Sequence, residues 1–300
     1  MKAQYSFTLL KGIDFDALSR SFRDAAESAT TAAGFVQAIN PMLAALEDPH
    51  VWTELPDGKR GYPYVPPYRA NYDYAAVLKK LSSIRRFSGL GFAGRTADGI
   101  GVLVVAGLPA ENDELYEDVI DAVRAMADAP GFIVDLRSNS GGAEPRAAQI
   151  AGLFADERRM YARSQVRSGP SPDDLRESPA RYVGPTVEDP YTRPVICLIG
   201  PGCISSGEGF ALMMKSLDHV TLVGQATRGA SGNPQPVTLS NGVKVWFSRW
   251  ISLEPDGTPI EGRGVEPAVE VEHEGPGDPT FERAVELLHE QIESARTSPP

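Results

Sequence analysis

Residues 193–217 read RPVICLIGPGCISSGEGFALMMKSL. A continuous apolar run here enters a turn containing Gly200, Pro201 and Gly202, and a helical segment follows from about Gly207. A short strand that is apolar throughout belongs inside a sheet covered on both faces, and a helix following directly makes the unit strand–turn–helix. The same unit stands upstream, where GFIVDLR (131–137) runs into the Gly-rich turn SNSGG (138–142) and a helix over roughly 144–155. Two such units predict an α/β fold.

Working outward, GLGFAGRTADGIGVLVVAGLP (89–109) has the pattern of a two-stranded hairpin, and ENDELYEDVIDAVRAMADA (111–129) that of a helix whose acidic first turn suits its dipole. A polar stretch covers roughly 163–192. HVTLVG, PQPVTL and GVKVWFSRW (within 219–250) read as strands, and DPTFERAVELLHEQIESA (278–295) as a closing amphipathic helix. Before all of this, Phe15, Leu18, Phe22 and Ala25, then Phe35, Ile39, Leu43 and Leu46, recur at helical spacing. The expected organisation is a helical N-terminal unit over 1–55, an irregular Pro/Tyr-rich connection over 56–87, and an α/β domain over 88–300 that includes the C-terminal helix.

The chain has 300 residues, 42% of them hydrophobic, enough for a large core or for one core and a smaller companion. With 29 basic against 40 acidic side chains its formal net charge is −11, which opposes attraction to phosphate backbones or anionic lipid, so no nucleic-acid partner is expected. Cys197 and Cys203 are too few for a disulfide framework or a zinc site, and no metal or organic cofactor is implied. Near the N-terminus, Lys11 and Asp14 interrupt a short apolar stretch, which fits neither a secretory signal nor a membrane span. Such a pattern leaves the cellular location open, export included, and the oligomeric state is not legible.

Ser205 and Ser206 fall where the helix begins. There the unpaired N–H groups and the positive end of the dipole stabilise an oxyanion, provided that a base activates a hydroxyl. Ser205-x-x-Glu208 is equally the pattern of a capping box, in which Ser and Glu satisfy free backbone donors. Both readings hold together if one serine caps and the other reacts. The turn 138–142 leaves the same edge of a parallel sheet, so an N–H near Gly141 is a candidate to pair with that of Ser206 as an oxyanion hole.

Taken together these segments resemble the tail-specific, or C-terminal processing, serine peptidase family, whose relatives include the catalytic core of tricorn protease and the modules of interphotoreceptor retinoid-binding protein. Asp135 to Gly142 resembles the family's Asp-Leu-Arg-x-Asn-x-Gly-Gly signature, and Ser205 to Glu208 its Ser-x-x-Glu nucleophile segment. Leu46-Glu47-Asp48-Pro49-His50 resembles an upstream Leu-x-Asp-x-His signature, and Glu261-Gly262-Arg263-Gly264-Val265-Glu266-Pro267 a late Glu-Gly-x-Gly-Val-x-Pro one. Four signatures in order, over roughly residues 35–272, are far more specific than any one of them. The resemblance implies a main domain of the crotonase-like, ββα-superhelix type, and a serine peptidase acting on peptides or unfolded proteins. It also implies Ser205 as nucleophile, His50 as base and Glu261 as the group completing the constellation, with Gly141 and Ser206 as oxyanion donors and Glu208 in support.

Two departures refine that placement. Ser-Lys members carry Thr-x-Gly-Lys-Gly, whereas Thr227-Arg228-Gly229-Ala230-Ser231 puts Ala230 at the lysine position. Nor does the interval after His50 hold enough regular strand pattern for a PDZ insertion. The tricorn-core and retinoid-binding branch is the better match. Of the other histidines, His289 sits in the terminal helix, His273 in an acidic loop, and His219 roughly 20 Å along the helix from Ser205. Two rivals stand beside hydrolysis: a non-catalytic binding module for a hydrophobic ligand, and a coenzyme-A thioester enzyme. The second lacks a clear basic cluster for the coenzyme's phosphates.

Overall fold

The structure, a computed structural model, describes residues 1–297. Phe132–Asp135 and Val195–Ile199, which carry the two predicted units, are neighbouring parallel strands with every residue buried. They occupy the middle of a seven-stranded sheet in the order Val269–Glu270, Val220–Gly224, Val195–Ile199, Phe132–Asp135, Gly101–Val105, Gly91–Thr96, Leu81–Phe87. The first five strands are parallel, and the remaining two join antiparallel; the hairpin expected over 89–109 is the Gly91–Thr96 and Gly101–Val105 pair.

Burial on both faces follows from what covers this sheet. Val102, Val104, Ile133, Ile196, Leu198 and Val223 pack with Phe281, Ala284 and Leu288 of the helix Pro279–Thr297. The helix Ser206–Lys215 packs on Val195–Ile199 and Val220–Gly224, and its residues Gly207–Met214 are all buried. Each fully buried large apolar side chain contributes roughly 1.5–3 kcal/mol. By contacts the chain forms two compact units, and this sheet belongs to the one made of Tyr68–Ala162, Ala180–Gly229 and the residues from Gly262 on.

The other unit comprises Met1–Pro67, Arg163–Pro179 and Ala230–Glu261. Its helices, Phe15–Glu27 and Ala32–Ala44, start where the Asp14 and Thr31 side chains accept from backbone N–H groups of the first turn. Its four-stranded antiparallel sheet runs Gln235–Thr238, Lys244–Phe247, Trp52–Glu54, Arg60–Gly61. Residues 230–261, read in the sequence as part of the main domain, group here because Thr53 pairs with Val245 and because Val243, Val245 and Phe247 share a core with Tyr5, Phe7 and Leu43. The stretch 56–87 holds Arg60–Gly61, a short helix Tyr74–Lys79 and the strand Leu81–Phe87. Among the described residues no helix is long and apolar enough to cross a membrane.

Candidate active site

Because Val195–Ile199 pairs in parallel with Phe132–Asp135, their carboxyl ends lie side by side, Leu198 opposite Asp135. The turns leaving them are therefore adjacent, at the edge where open α/β sheets hold ligands. Leu136 N–H donates to the Leu198 carbonyl at 2.9 Å, and Ile204 N–H to the Asn139 carbonyl at 3.0 Å, which stitches the turns together. Arg137, fully buried, braces the first turn from below: its guanidinium binds Asp135 and Asp278 and donates to the Asn71 carbonyl at 2.6 Å. Asn139 donates through Nδ2 to the Val105 carbonyl, and its Oδ1 accepts from Gly141 N–H, both at 2.9 Å.

Gly141 has φ +81°, and a Cβ there would stand 2.7 Å from Ser205 Cβ and 3.0 Å from the Ile204 carbonyl oxygen. Glycine is what lets this backbone touch the serine turn. Ser205 itself has φ 61° and ψ −128°, a conformation that non-glycine residues rarely adopt and that costs roughly 1–3 kcal/mol. The helix Ser206–Lys215 starts at the next residue.

The capping-box reading does not survive. Ser205 makes no side-chain capping bond. Glu208, completely buried, instead accepts from Thr227 Oγ1 and from Gly229 N–H, each at 2.6 Å, while Thr227 Oγ1 accepts from Val265 N–H at 2.7 Å. Glu208 is thus a post on which the 227–229 and 264–265 segments rest. Ser206 Oγ donates to the Gly142 carbonyl at 2.7 Å. The Ser206 and Gly142 N–H groups have no acceptor among the described residues, whereas Gly141 N–H is engaged by Asn139. A strained serine at a helix N-terminus, with free backbone donors on both adjoining turns, is suited to nucleophilic attack with oxyanion stabilisation.

His50 and Glu261 lie in the other unit. His50 is buried, its N–H donates to Asp48 Oδ1 at 2.8 Å, and its Nδ1 is 3.9 Å from that oxygen, too far for a hydrogen bond. Asp48, with no exposure, is held by Ser248 Oγ at 2.7 Å and the Tyr5 hydroxyl at 3.1 Å. Burial pushes the His50 pKa below the ordinary imidazole value; Asp48 opposes that shift and Lys11 reinforces it. Glu261 forms an ion pair with Lys11, Oε1 to Nζ 3.0 Å. Asp48, Tyr5, Ser248 and Lys11 were not singled out in the sequence as site residues. Asp48 was visible there as the middle of the Leu-x-Asp-x-His signature; the others carried no motif.

Other histidines and lysines have surroundings of their own. His219 precedes the strand Val220–Gly224, at the amino edge of its sheet, opposite the edge that bears Ser205. His289 pairs with Asp98 on the surface. Lys215 ends the helix that Ser206 begins, roughly 14 Å along it. Lys244 is paired with Glu54 at 2.7 Å, and Ala230 is buried.

The model of peptidase family S41 matches residues 99–271, more than half of the chain and the whole of both turns. The chain belongs to peptidase family S41. Among S41-type relatives, it is 25% identical over 177 residues to the carboxy-terminal processing protease CtpA of Bacillus subtilis (strain 168), a match covering 58% of this chain and 35% of that protein. The corresponding match to CtpB of the same organism is 25% over 162 residues, 53% of this chain and 32% of that protein. The chain thus matches about a third of the length of these relatives. Its fold is similar to that of a candidate peptidase from Parabacteroides merdae ATCC 43184, with a TM-score of 0.83 and 24% identity over 96% of this chain and 93% of that one.

Proposed function

We propose that this S41 chain is a serine peptidase that cleaves peptide bonds through an acyl-enzyme. Ser205 Oγ attacks the amide carbonyl as His50 takes its proton, and the Ser206 N–H and the Gly141–Gly142 turn hold the oxyanion. His50 then gives the proton to the departing amine, and water, activated in the same way, releases the acyl group. Glu261 completes the constellation as the acidic partner of the base. The observation that carries this reading is the backbone of Ser205: an uncapped serine is held at φ 61° beside Gly141 and at the start of a helix. Strain of that kind persists where the surroundings impose it and collects at functional sites.

The finer fold assignment, a crotonase-like ββα superhelix, is supported by a hairpin and parallel strands alternating with helices. Placement in the tricorn-core branch is supported by Ala230. Substrates are read as peptides or unfolded proteins. Labelling with a fluorophosphonate tests the proposal: Ser205→Ala is expected to abolish labelling with the fold intact, and Ser206→Ala to retain it. Equal labelling of both variants would remove Ser205 as the nucleophile. Absence of labelling in the wild-type protein would favour the binding-module alternative.

A further inference from the structure

In the sequence Lys11 serves only to interrupt an apolar stretch, yet in the structure it lies within the histidine cluster. Its ammonium is 3.0 Å from Glu261 Oε1, 2.9 Å from the Glu47 carbonyl and 3.3 Å from the Leu46 carbonyl. Three acceptors match the three hydrogens of an ammonium group. The two carbonyls belong to the turn leading into Asp48 and His50, in which Glu47 adopts φ 47°. The lysine is itself fixed, since its N–H donates to the Phe7 carbonyl at 2.8 Å, its ammonium lies 5.4 Å from the Phe7 ring centroid, and Phe7 and Tyr5 are completely buried. Tyr5 and Phe7 are therefore part of this unit's core, and segment 1–13 lies outside the residues matched by the family model.

We propose that Lys11 is a positioning residue for the base: one ammonium ties Glu261 to the Leu46–Glu47 turn and so fixes the acidic partner and the histidine loop to each other. This rests on His50 being the base, as proposed above. The same ammonium acts through space. Within this unit the charged groups that act on His50 are Asp48 and Lys11, with Tyr5 bonded to Asp48, and Glu261 bonded to Lys11. Asp48 favours the imidazolium, while Lys11 opposes it and so keeps the ring able to accept a proton.

The test is the pH dependence of kcat/KM for Lys11→Gln, Lys11→Arg and the double variant Lys11→Gln/Glu261→Gln, each with a thermal melt. Lys11→Gln keeps a hydrogen-bond donor but removes the charge. It is expected to lower plateau kcat/KM about tenfold through lost positioning and to move the acid limb to higher pH, where activity falls by a further threefold or so. Lys11→Arg should leave the limb in place. The double variant, without the carboxylate that Lys11 neutralised, should return the limb towards its original position. A limb unmoved in Lys11→Gln, with only a lower melting temperature, would reduce Lys11 to a structural role and overturn the inference, as would a limb that moves equally in Lys11→Arg. His50→Ala assayed in parallel separates the two levels. Full activity there sinks the assignment of the base, whereas loss of activity there with an unmoved limb in Lys11→Gln sinks this inference alone.

Discussion

The serine turn and the histidine cluster are built on opposite plans. Around Ser205 the work is done by backbone: two parallel strand ends, a positive φ at Gly141, another at Ser205, and N–H groups left open by a helix start. Around His50 it is done by side chains from distant parts of the chain, with Tyr5, Lys11, Asp48, Ser248 and Glu261 converging through hydrogen bonds and an ion pair. A backbone-built site has little to titrate, so its response to substitution is all-or-none. The charge-built site is graded, because each neighbour shifts the His50 imidazole by a fraction.

The largest effect that would break this contrast concerns His50, the proposed base. His50→Ala is expected to lower peptidase kcat/KM about a hundredfold or more, as loss of a general base commonly does, while Lys215→Ala/Lys244→Ala stays near wild type. Since burial and Lys11 favour neutral imidazole, the acid limb of the wild-type profile should lie below the ordinary histidine value. Steady-state assays across pH read both. The reverse ranking of the two variants would restore a lysine mechanism and leave the histidine cluster without a chemical role.

A second effect sharpens the comparison, because Glu208 is a side-chain post within the backbone-built region. Glu208→Ala removes the acceptor from Thr227 Oγ1 and Gly229 N–H, two buried donors, and each orphaned donor costs roughly 1–3 kcal/mol. Glu208→Gln keeps the Oε1 acceptor and should cost about 1 kcal/mol. Denaturant unfolding of the two variants measures the difference. Equal stability would mean that the 227–229 segment does not depend on this carboxylate.

Legibility in the sequence divided along the same line. Gly-rich turns after apolar runs depend on local chemistry, so the α/β class, the hairpin over 89–109 and the positions of Ser205 and Gly141 could be read directly. Within that turn the Glu208 pattern misled, since a Ser-x-x-Glu spacing is compatible with a cap, and only the tertiary partners Thr227 and Gly229 show where the carboxylate goes. The histidine cluster was illegible apart from its signature. Nothing local in Tyr5 or Ser248 announces that both will bond to Asp48, 43 and 200 residues away. The return of 230–261 to the N-terminal residues was hidden for the same reason: strands predict that they will pair, and not with whom.

The smallest effect probes how finely the charge-built site is graded. Tyr5→Phe and Ser248→Ala each remove one of the two hydroxyl donors to Asp48 Oδ2, at 3.1 and 2.7 Å. The Tyr5 phenol stays protonated throughout any usable range, because burial first, and then the Asp48 and Glu261 charges, push its pKa far up. A hydrogen bond to a charged group is worth roughly 1.5–3 kcal/mol, so each variant should lose stability of about that size, Ser248→Ala the more for its shorter bond. Asp48 with one donor fewer is a less neutralised carboxylate beside His50, so the imidazolium becomes easier to form. The acid limb of kcat/KM should therefore move upward in both variants, by less than in Lys11→Gln, with the plateau largely kept. A downward movement would mean that Asp48 does not act on His50 through its charge, and the side-chain cluster would then be a scaffold in the same sense as the backbone of the serine turn.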